Sequence, residues 1–356
     1  MALIKLDHEK LRTNFHFLDR IFKERGIEWG VVSKVLCGSP VYLKELIDLG
    51  VKEIHDSRVS NLAQVKEIDP TVQTVYIKPP AKGAIKDIVS SADVSFNTEY
   101  QTIKTLSQEA QEQDKKHKII IMIELGDLRE GVMGNELIEF YGRIFELPNI
   151  EVVGLGTNLN CMYGVMPSED KLIQLSLYKQ LIEAKFDRHI PWVSGGTSIV
   201  LPLLFKNRLP GGINHFRIGE TLYFGNDLFH QEPIQGMETD VFHLHAEIIE
   251  LTKKPKVPTG DIGEDPQGDT FEIDESDYGK SSYRAILDIG LLDIDPEYIE
   301  PDDEGITIAG ASSDMLIMDV GESSASYEVG DVISFKIQYM GLLGLLNSNY
   351  ISQEVE

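Results

Sequence analysis

The sequence predicts an α/β protein: a (β/α)8 barrel of the TIM type followed by a C-terminal β-domain. Short apolar runs alternate eight times with amphipathic helical segments over about 200 residues. A doubly wound open sheet shows the same alternation, but no Gly-x-Gly-x-x-Gly follows the first strand, which weakens that alternative. After about Asp227 helical periodicity largely stops and short β-branched runs replace it. We expect a barrel over residues 7–227, and a β-domain formed by residues 228–356 with a strand from residues 1–6.

The elements of the barrel follow from this alternation. A strand at 3–6 precedes a helix that Asp7 caps and that ends near Gly26. The barrel strands are predicted at 29–34, 53–55, 74–77, 94–96, 118–124, 152–158, 192–194 and 216–218. The helices between them are predicted at 41–49, 57–68, 84–91, 99–113, 135–145, 168–186 and 198–205.

The β-domain is predicted from runs rich in β-branched residues at 241–251, 282–288, 306–308, 315–319 and 332–338. Two acidic stretches, 261–277 and 293–304, lie between these runs. Both contain proline and few large apolar residues, so we expect solvated loops there.

Composition and charge exclude several classes of function. The formal net charge of −25 argues against a nucleic-acid or anionic-membrane partner. Only two cysteines occur, Cys37 and Cys161, which fits a reducing compartment and gives no zinc-binding spacing. No stretch is long and uncharged enough to span a membrane, so we expect a cytoplasmic protein.

Lys34 is the first candidate for chemistry, because it ends an apolar run containing Val31 and Val32 and lies just before Gly38. An amine at the rim of an apolar layer is desolvated, which frees it to attack a carbonyl. Such a lysine is more often an ordinary one whose ammonium reaches water. The other strand ends favour the chemical interpretation.

Polar residues and glycines follow the later barrel strands, where a barrel carries its active site. One strand runs into Gly126 to Gly131 around Arg129, and the next into Asn158 to Cys161. Gly-Gly-Thr-Ser at 195–198 combines backbone freedom with hydroxyls at a helix start, a pattern typical of a phosphate site. Arg217-Ile218-Gly219-Glu220 follows the last strand. A Schiff-base lysine and a phosphate site on one face suggest pyridoxal phosphate.

These segments resemble the alanine racemase fold of pyridoxal-phosphate enzymes, and most closely its ornithine racemase branch. The resemblance rests on Ser33-Lys34, on 126–131, on 194–198, on 213–220 and on the stretch 247–255. It covers nearly the whole chain, the β-domain included. It implies a racemase that interconverts L- and D-amino acids by removing the α-proton, assembled as a homodimer with shared active sites.

The resemblance also implies roles for individual residues. Lys34 would carry the cofactor as a Schiff base and act as one catalytic base, and Arg217 would face the pyridine nitrogen. Arg129 would bind the cofactor's phenolic oxygen or the substrate carboxylate. The remaining implied cofactor contacts are Asn158 beside the ring, Thr197, Ser198 and the Gly219 amide at the phosphate, Glu220 beside them, and Tyr339 near the phosphate. Asp314 resembles a segment that reaches the partner's active site.

Two positions depart from the family pattern. The tyrosine that alanine racemases use as a second base is absent, since the corresponding stretch 290–293 has Leu291. Gly38 replaces a second tyrosine, four residues after the lysine. Cys161, Tyr283 and Asp314 are the alternatives for the second base, and the residue types alone do not choose between them.

Several alternatives stay open. The same cofactor chemistry supports a decarboxylase or an aldolase, a non-catalytic pyridoxal-phosphate-binding protein is another class, and a cofactor-free barrel aldolase is a third. His243 and His245 alternate along one strand, but no third ligand has suitable spacing, so we predict no metal site. Asp127, Glu130 and Asp314 could meet a side-chain ammonium, which predicts a basic substrate such as ornithine or lysine.

Overall fold

The computed structural model describes residues 2–230, 232–263, 273–321 and 327–356. It divides into two compact units. One is Asp7–Val241, and the other joins Met1–Leu6 to Phe242–Glu356. Part of the predicted acidic loop 261–277 lies outside the described residues.

Within residues 2–230, eight parallel strands close into a barrel in sequence order, which confirms the predicted fold class. The strand before them is β1 (Leu3–Leu6), which belongs to the other unit. The barrel strands are β2 (Glu28–Val32), β3 (Glu53–Asp56), β4 (Gln73–Tyr76), β5 (Val94–Asn97), β6 (His117–Met122), β7 (Ile150–Gly156), β8 (Trp192–Thr197) and β9 (His215–Ile218).

Helices cover the outside of the barrel. Asp7 caps the first of them as predicted, because its carboxylate accepts from the Lys10 backbone N–H at 3.0 Å. The helices of this unit are α1 (His8–Lys23), α2 (Pro40–Asp48), α3 (Val59–Ile68), α4 (Ile85–Ser91), α5 (Tyr100–Glu112), α6 (Leu137–Phe145), α7 (Glu169–Phe186), α8 (Leu201–Phe205) and α9 (Glu220–Phe224).

The barrel interior differs between its two sides. On one side, apolar side chains of β4 to β7 pack together, among them Phe96, Ile120 and Met122. On the other side, polar side chains of β3, β8 and β9 are buried, and these include His215 and Arg217, which alternate along β9. The interior therefore combines an apolar core with a polar network.

The second unit is built on antiparallel strands. After the short pair β10 (Asn226–Asp227) and β11 (Glu232–Pro233) of the barrel unit, the strands are β12 (Phe242–Pro255), β13 (Ser281–Leu287), β14 (Ile299–Pro301), β15 (Thr307–Ala311), β16 (Leu316–Asp319), β17 (Val332–Ile337) and β18 (Ser352–Val355), with helix α10 (Tyr339–Asn347). The main path of the sheet is β14-β17-β12-β13-β16-β15, and β1 pairs with β12 and β18.

Three local expectations differ from the structure. Residues 228–241 group with the barrel unit, because Asn14 on α1 donates to the carbonyl of Glu238 and accepts from its N–H. The acidic stretch 293–304 is not all loop, since β14 pairs with β17 and buries Ile299. Lys34 does not end a strand: β2 ends at Val32, and Lys34 begins a 3-10 helix, Lys34–Leu36.

Among the described residues, no helix is long and apolar enough to cross a membrane.

Candidate active site

The predicted barrel residues lie at or just after the carboxyl ends of β2, β6, β7, β8 and β9. Because these strands are parallel neighbours in a closed barrel, their carboxyl ends meet at one end of it. Lys34, Arg129, Asn158, Ser198 and Arg217 therefore share that end.

Lys34 is held by its neighbour Ser33, which is fully buried. The Ser33 N–H donates to the His55 carbonyl at 2.9 Å, and its hydroxyl donates to the Asp56 carboxylate at 2.8 Å. Both acceptors lie on β3, so two bonds fix the turn from which the Lys34 side chain leaves. That side chain is exposed, and its ammonium acts electrostatically on the half-buried Glu220. Burial raises the pKa of Glu220, and Lys34 opposes that shift.

Arg217 is buried at the end of β9, with 3% of its surface exposed. Its guanidinium donates to the Ser194 hydroxyl at 2.6 Å and to the Thr157 carbonyl at 2.9 Å, and it lies 5.1 Å from the centre of the Phe96 ring. Both acceptors are neutral, and within the described part of the chain Arg217 has no ion pair with a carboxylate. Burial lowers the pKa of Arg217 to about 10, so the group stays protonated at neutral pH.

Ser198 joins the ends of β8 and β9. Its hydroxyl is buried and accepts from the backbone N–H groups of Gly219 and Thr221, each at the long distance of 3.4 Å. Thr197, the last residue of β8, stands beside Arg217 in the strand register. Hydroxyls and converging backbone N–H groups of this kind favour an anion.

Arg129 and Asn158 meet across the ends of β6 and β7. The Asn158 side-chain oxygen accepts from both terminal nitrogens of Arg129, at 3.1 and 2.5 Å, when its amide is oriented toward those donors. Glu130 also accepts from Arg129, at 2.5 Å from one terminal nitrogen. The hydrogen bond that Arg129 donates to Glu130 raises the pKa of Arg129. The guanidinium is thus oriented while 41% of its side chain remains exposed.

Asp127 has a different use from the one predicted. Its buried carboxylate accepts backbone N–H groups from the loop after β7: Cys161 and Met162 at 3.0 Å, and Tyr163 and Val165 at 3.2 Å. Asp127 is therefore committed to holding residues 161–165, and Glu130 to Arg129. Neither matches the expectation of a carboxylate waiting for a substrate ammonium.

The other predicted residues belong to the second unit. Asp314 is exposed in a turn, where the hydroxyls of Ser312 and Ser313 lie 3.4 and 3.3 Å from its carboxylate. Tyr339 is the half-buried first residue of α10. Tyr283 is half-buried on β13, where the Lys253 ammonium lies 5.9 Å from its ring centre.

Histidines form two groups. His243 and His245 have separate partners, since His245 is 2.8 Å from the Ser334 hydroxyl and His243 is 3.7 Å from Asp302. In the barrel, Glu53, His55 and His215 bring their donor atoms together in the buried interior. Glu53 and His55 alternate along a buried strand, and that polar alternation is the sequence signal that could have drawn attention to them.

A family model described as "Alanine racemase, N-terminal domain" matches residues 6–227 of this chain. It spans the barrel with Lys34, Arg129, Asn158, Ser198 and Arg217. The chain belongs to the alanine racemase family.

Relatives within this racemase family match the whole chain. The ornithine racemase of Acetoanaerobium sticklandii is 38% identical over 353 residues, covering 99% of each chain. The lysine racemase of Thermotoga maritima is 31% identical over 348 residues, covering 98% of this chain and 96% of its own. Among solved structures, the alanine racemase of Bartonella henselae with covalently bound pyridoxal phosphate has a TM-score of 0.75 at 17% identity, covering 100% of this chain and 99% of that one. The predicted resemblance is confirmed.

Proposed function

We propose that this chain is a pyridoxal-phosphate-dependent racemase of a basic amino acid, ornithine or lysine. The observation that carries the proposal is the presence of Lys34, Arg217 and the Ser198 site at the carboxyl end of one barrel. Membership of the alanine racemase family supports the reaction class. The names of the two curated relatives support a basic substrate.

The residues fit the cofactor. Arg217 uses two of its N–H donors on the Ser194 hydroxyl and the Thr157 carbonyl, which leaves donors for a ring nitrogen. The Gly219 and Thr221 amides make only long bonds to Ser198, so a phosphate oxygen is a better acceptor for them. When bound, pyridoxal phosphate supplies an aldehyde for an amine and a conjugated ring that stabilises negative charge at the α-carbon.

Lys34 would hold the cofactor and move the proton. Its Nζ is the amine that would hold the cofactor's aldehyde and, when free, would accept the α-proton on one face. Asp56 orients this step through Ser33, which fixes the backbone from which Lys34 departs. Glu220 interacts electrostatically with Lys34, so an ionised Glu220 would stabilise the ammonium after it gains the proton.

Arg217 would set the type of reaction. Because arginine does not give up its proton, a ring nitrogen held by Arg217 would remain unprotonated, and the ring would withdraw less electron density. Proton return to the α-carbon is then favoured over reactions that need stronger electron withdrawal. Arg129, held by Asn158 and Glu130, would bind the substrate carboxylate or the phenolic oxygen.

Racemisation needs a second base on the opposite face. Cys161, Tyr283 and Asp314 remain the candidates. Cys161 is exposed on the loop that Asp127 holds, and it interacts electrostatically with both Arg129 and Arg217. Cys161 lies at the carboxyl end of the barrel, and this position supports it as the second base.

For the substrate ammonium, we propose Asp314, supplied by the second subunit of a homodimer. Asp127 and Glu130 have other partners, whereas the exposed Asp314 carboxylate has only hydroxyl neighbours nearby at 3.3 Å or more within the described residues. Where the shared site excludes water, a neutral substrate side chain would leave this carboxylate unpaired, which costs about 1–3 kcal/mol. We also propose a cytoplasmic location, which the two cysteine thiols support.

The cofactor test uses the visible absorbance band of lysine-bound pyridoxal phosphate. Borohydride reduction followed by peptide mapping is expected to place the cofactor on Lys34, and Lys34→Ala is expected to lose the band. Lys78, which follows β4, provides a matched control, and Lys78→Ala is expected to keep it. Mapping to another lysine would reject the proposed site.

The substrate test follows chirality for a panel of L-amino acids by chromatography. We expect ornithine or lysine to have the highest kcat/KM, about 5- to 150-fold above alanine, as a 1–3 kcal/mol difference implies. Asp314→Asn is expected to lower this preference about tenfold. Faster turnover of alanine or serine would reject the substrate class, and release of carbon dioxide or an aldehyde would favour a decarboxylase or aldolase.

A further inference from the structure

A chain of hydrogen-bonded side chains crosses the barrel interior from Glu53 to Arg217. Glu53 Oε1 lies 2.8 Å from His215 Nε2, and His215 Nδ1 lies 2.8 Å from the Ser194 hydroxyl. That hydroxyl lies 2.6 Å from the Arg217 guanidinium. Ser194 and His215 are fully buried, and Glu53 and Arg217 are 8% and 3% exposed. The chain links strands β3, β8 and β9.

The two ends of the chain are an obligate donor and a carboxylate acceptor, which favours one direction for the bonds between them. Arg217 can only donate, so the Ser194 oxygen accepts from it. When the Ser194 hydroxyl donates its proton to His215 Nδ1, the ring carries its own proton on Nε2. His215 Nε2–H therefore donates to Glu53, which fits an ionised carboxylate that can only accept. All the donors in the chain point toward Glu53.

Neighbouring side chains hold Glu53 and His215 in place. Gln73 donates to the second Glu53 oxygen at 2.5 Å, and His55 Nε2 lies 2.5 Å from the first. Burial acts to raise the pKa of Glu53, but the histidines outweigh it and keep that pKa below its usual range. Trp192 stacks on His215 with ring centres 4.7 Å apart. Glu53 and His215 are therefore each in contact with further side chains besides each other.

Gly30 on β2 leaves room for the side chains of Glu53 and His55. A Cβ at this position would lie 2.3 Å from His55 Nε2 and 2.5 Å from Glu53 Oε1, closer than any carbon can approach. A buried carboxylate with this many polar neighbours costs free energy that an apolar interior would not. The interior between β4 and β7 is apolar, so the barrel does not need polar filling to close.

We propose that Glu53, His215 and Ser194 are positioning residues that hold the Arg217 guanidinium in one orientation. These hydrogen-bonded side chains, here called the relay, direct a lone pair of the Ser194 oxygen at Arg217. The remaining N–H groups of Arg217 therefore keep a fixed direction. The inference rests on the proposed function, in which those N–H groups face the cofactor ring nitrogen. Glu53, which lies three hydrogen bonds from Arg217, would thereby control the contact between Arg217 and the ring nitrogen.

The same donor atoms could in principle hold a divalent metal, but their spacing favours the relay. Two ligands on one tetrahedral zinc ion lie about 3.3 Å apart, given metal–ligand bonds of about 2.0–2.1 Å. The distances from Glu53 Oε1 to His55 and His215 are 2.5 and 2.8 Å. These are hydrogen-bond distances, so Glu53 binds the two rings directly.

The first experiment tests the relay by NMR and does not depend on enzyme activity. In the full chain labelled with 15N-histidine and 15N-arginine, before and after addition of pyridoxal phosphate, NMR is expected to show His215 protonated at Nε2 and accepting at Nδ1. The Arg217 guanidinium N–H signals are expected to be sharp, and to broaden in Glu53→Gln and His215→Phe. A His215 ring protonated at Nδ1, or one equivalent of bound zinc by metal analysis, would overturn the relay.

The second experiment measures racemisation and uses His117→Phe as a matched control. His117 is also a buried histidine at the first position of a barrel strand, 2.8 Å from a serine hydroxyl, that of Ser95. We expect Glu53→Gln and His215→Phe to lower kcat about 10- to 100-fold with little change in KM. The control is expected to retain kcat within about twofold, which separates positioning from general loss of packing.

The outcomes separate this inference from the proposed function. If the wild-type chain racemises and the relay variants keep its kcat, the positioning role is wrong. If the wild-type chain racemises no amino acid, the proposed function fails, and the Arg217 signals still decide whether the relay orders the guanidinium. Sharp Arg217 signals in His215→Phe would reject the relay in either case.

Discussion

The loop held by Asp127 gives the sharpest prediction about structure and activity together. Asp127→Asn keeps the size of the side chain but replaces one carboxylate oxygen with an NH2 group. That group cannot accept, so two of the backbone N–H groups among residues 161–165 lose their acceptor and face a donor instead. The loop carries Cys161 and begins beside Asn158, so its order matters to the proposed site.

The magnitude follows from the bonds. A hydrogen bond to a charged group contributes about 1.5–3 kcal/mol, so two lost bonds remove about 3–6 kcal/mol. Residues 161–163 are exposed, and water can replace part of the lost acceptor. We therefore expect the free energy of opening this loop to fall by about 2 kcal/mol, which is roughly a 30-fold change in the opening equilibrium.

Hydrogen exchange measured by mass spectrometry checks this prediction. Protection of the amides of 161–165 is expected to fall about 30-fold, while the barrel strands keep theirs, and kcat/KM is expected to fall about tenfold. Asp69→Asn is the matched control, because Asp69 accepts from the Thr71 N–H at 2.8 Å in an exposed turn before β4. Unchanged protection of 161–165 in Asp127→Asn would refute the role of this carboxylate.

The remaining predictions concern the cofactor contact, the assembly and pH. Arg217→Glu is expected to let the ring nitrogen gain a proton, seen as a new long-wavelength absorbance with substrate; an unchanged spectrum would contradict its role. If Asp314→Ala proves inactive, mixing it with inactive Lys34→Ala is expected to restore one working site per heterodimer, whereas an active monomer by sedimentation would exclude shared sites. Burial lowers the pKa of His117 from an ordinary 6.5 to about 4, so the unfolded chain binds the proton first as pH falls. Stability should then drop by about 3 kcal/mol between pH 6.5 and 4, and His117→Phe should flatten that part of the unfolding profile.

Periodicity predicted what depends on local sequence. The alternation of apolar runs and helical segments located the barrel strands within a few residues, because each strand buries its own side chains. It missed α10, since glycines at 341 and 344 argue against a helix there. Leu342, Leu345 and Leu346 are buried in the structure, so packing overrides that low propensity.

Contacts between distant segments could not be predicted in this way. Lys34 appeared to end a strand, because nothing near it in sequence shows that β3 fixes Ser33 through His55 and Asp56. Asp127 appeared to be available to a ligand, because its loop partners lie 34 to 38 positions later. A residue type and a strand end indicate where a side chain lies, and leave open what it already binds.

The environment of Arg217 connects these observations to function. A carboxylate beside this guanidinium would neutralise its charge and compete for the N–H groups that a ligand needs. The barrel instead provides neutral acceptors, the Ser194 hydroxyl and the Thr157 carbonyl, and places the nearest relay carboxylate, Glu53, beyond a serine and a histidine. Arg217 therefore keeps both its charge and free donors inside a buried site, at a cost in stability that an apolar residue would avoid. Such an arrangement is useful only if a ligand completes it, and an unprotonated ring nitrogen is an acceptor that suits it.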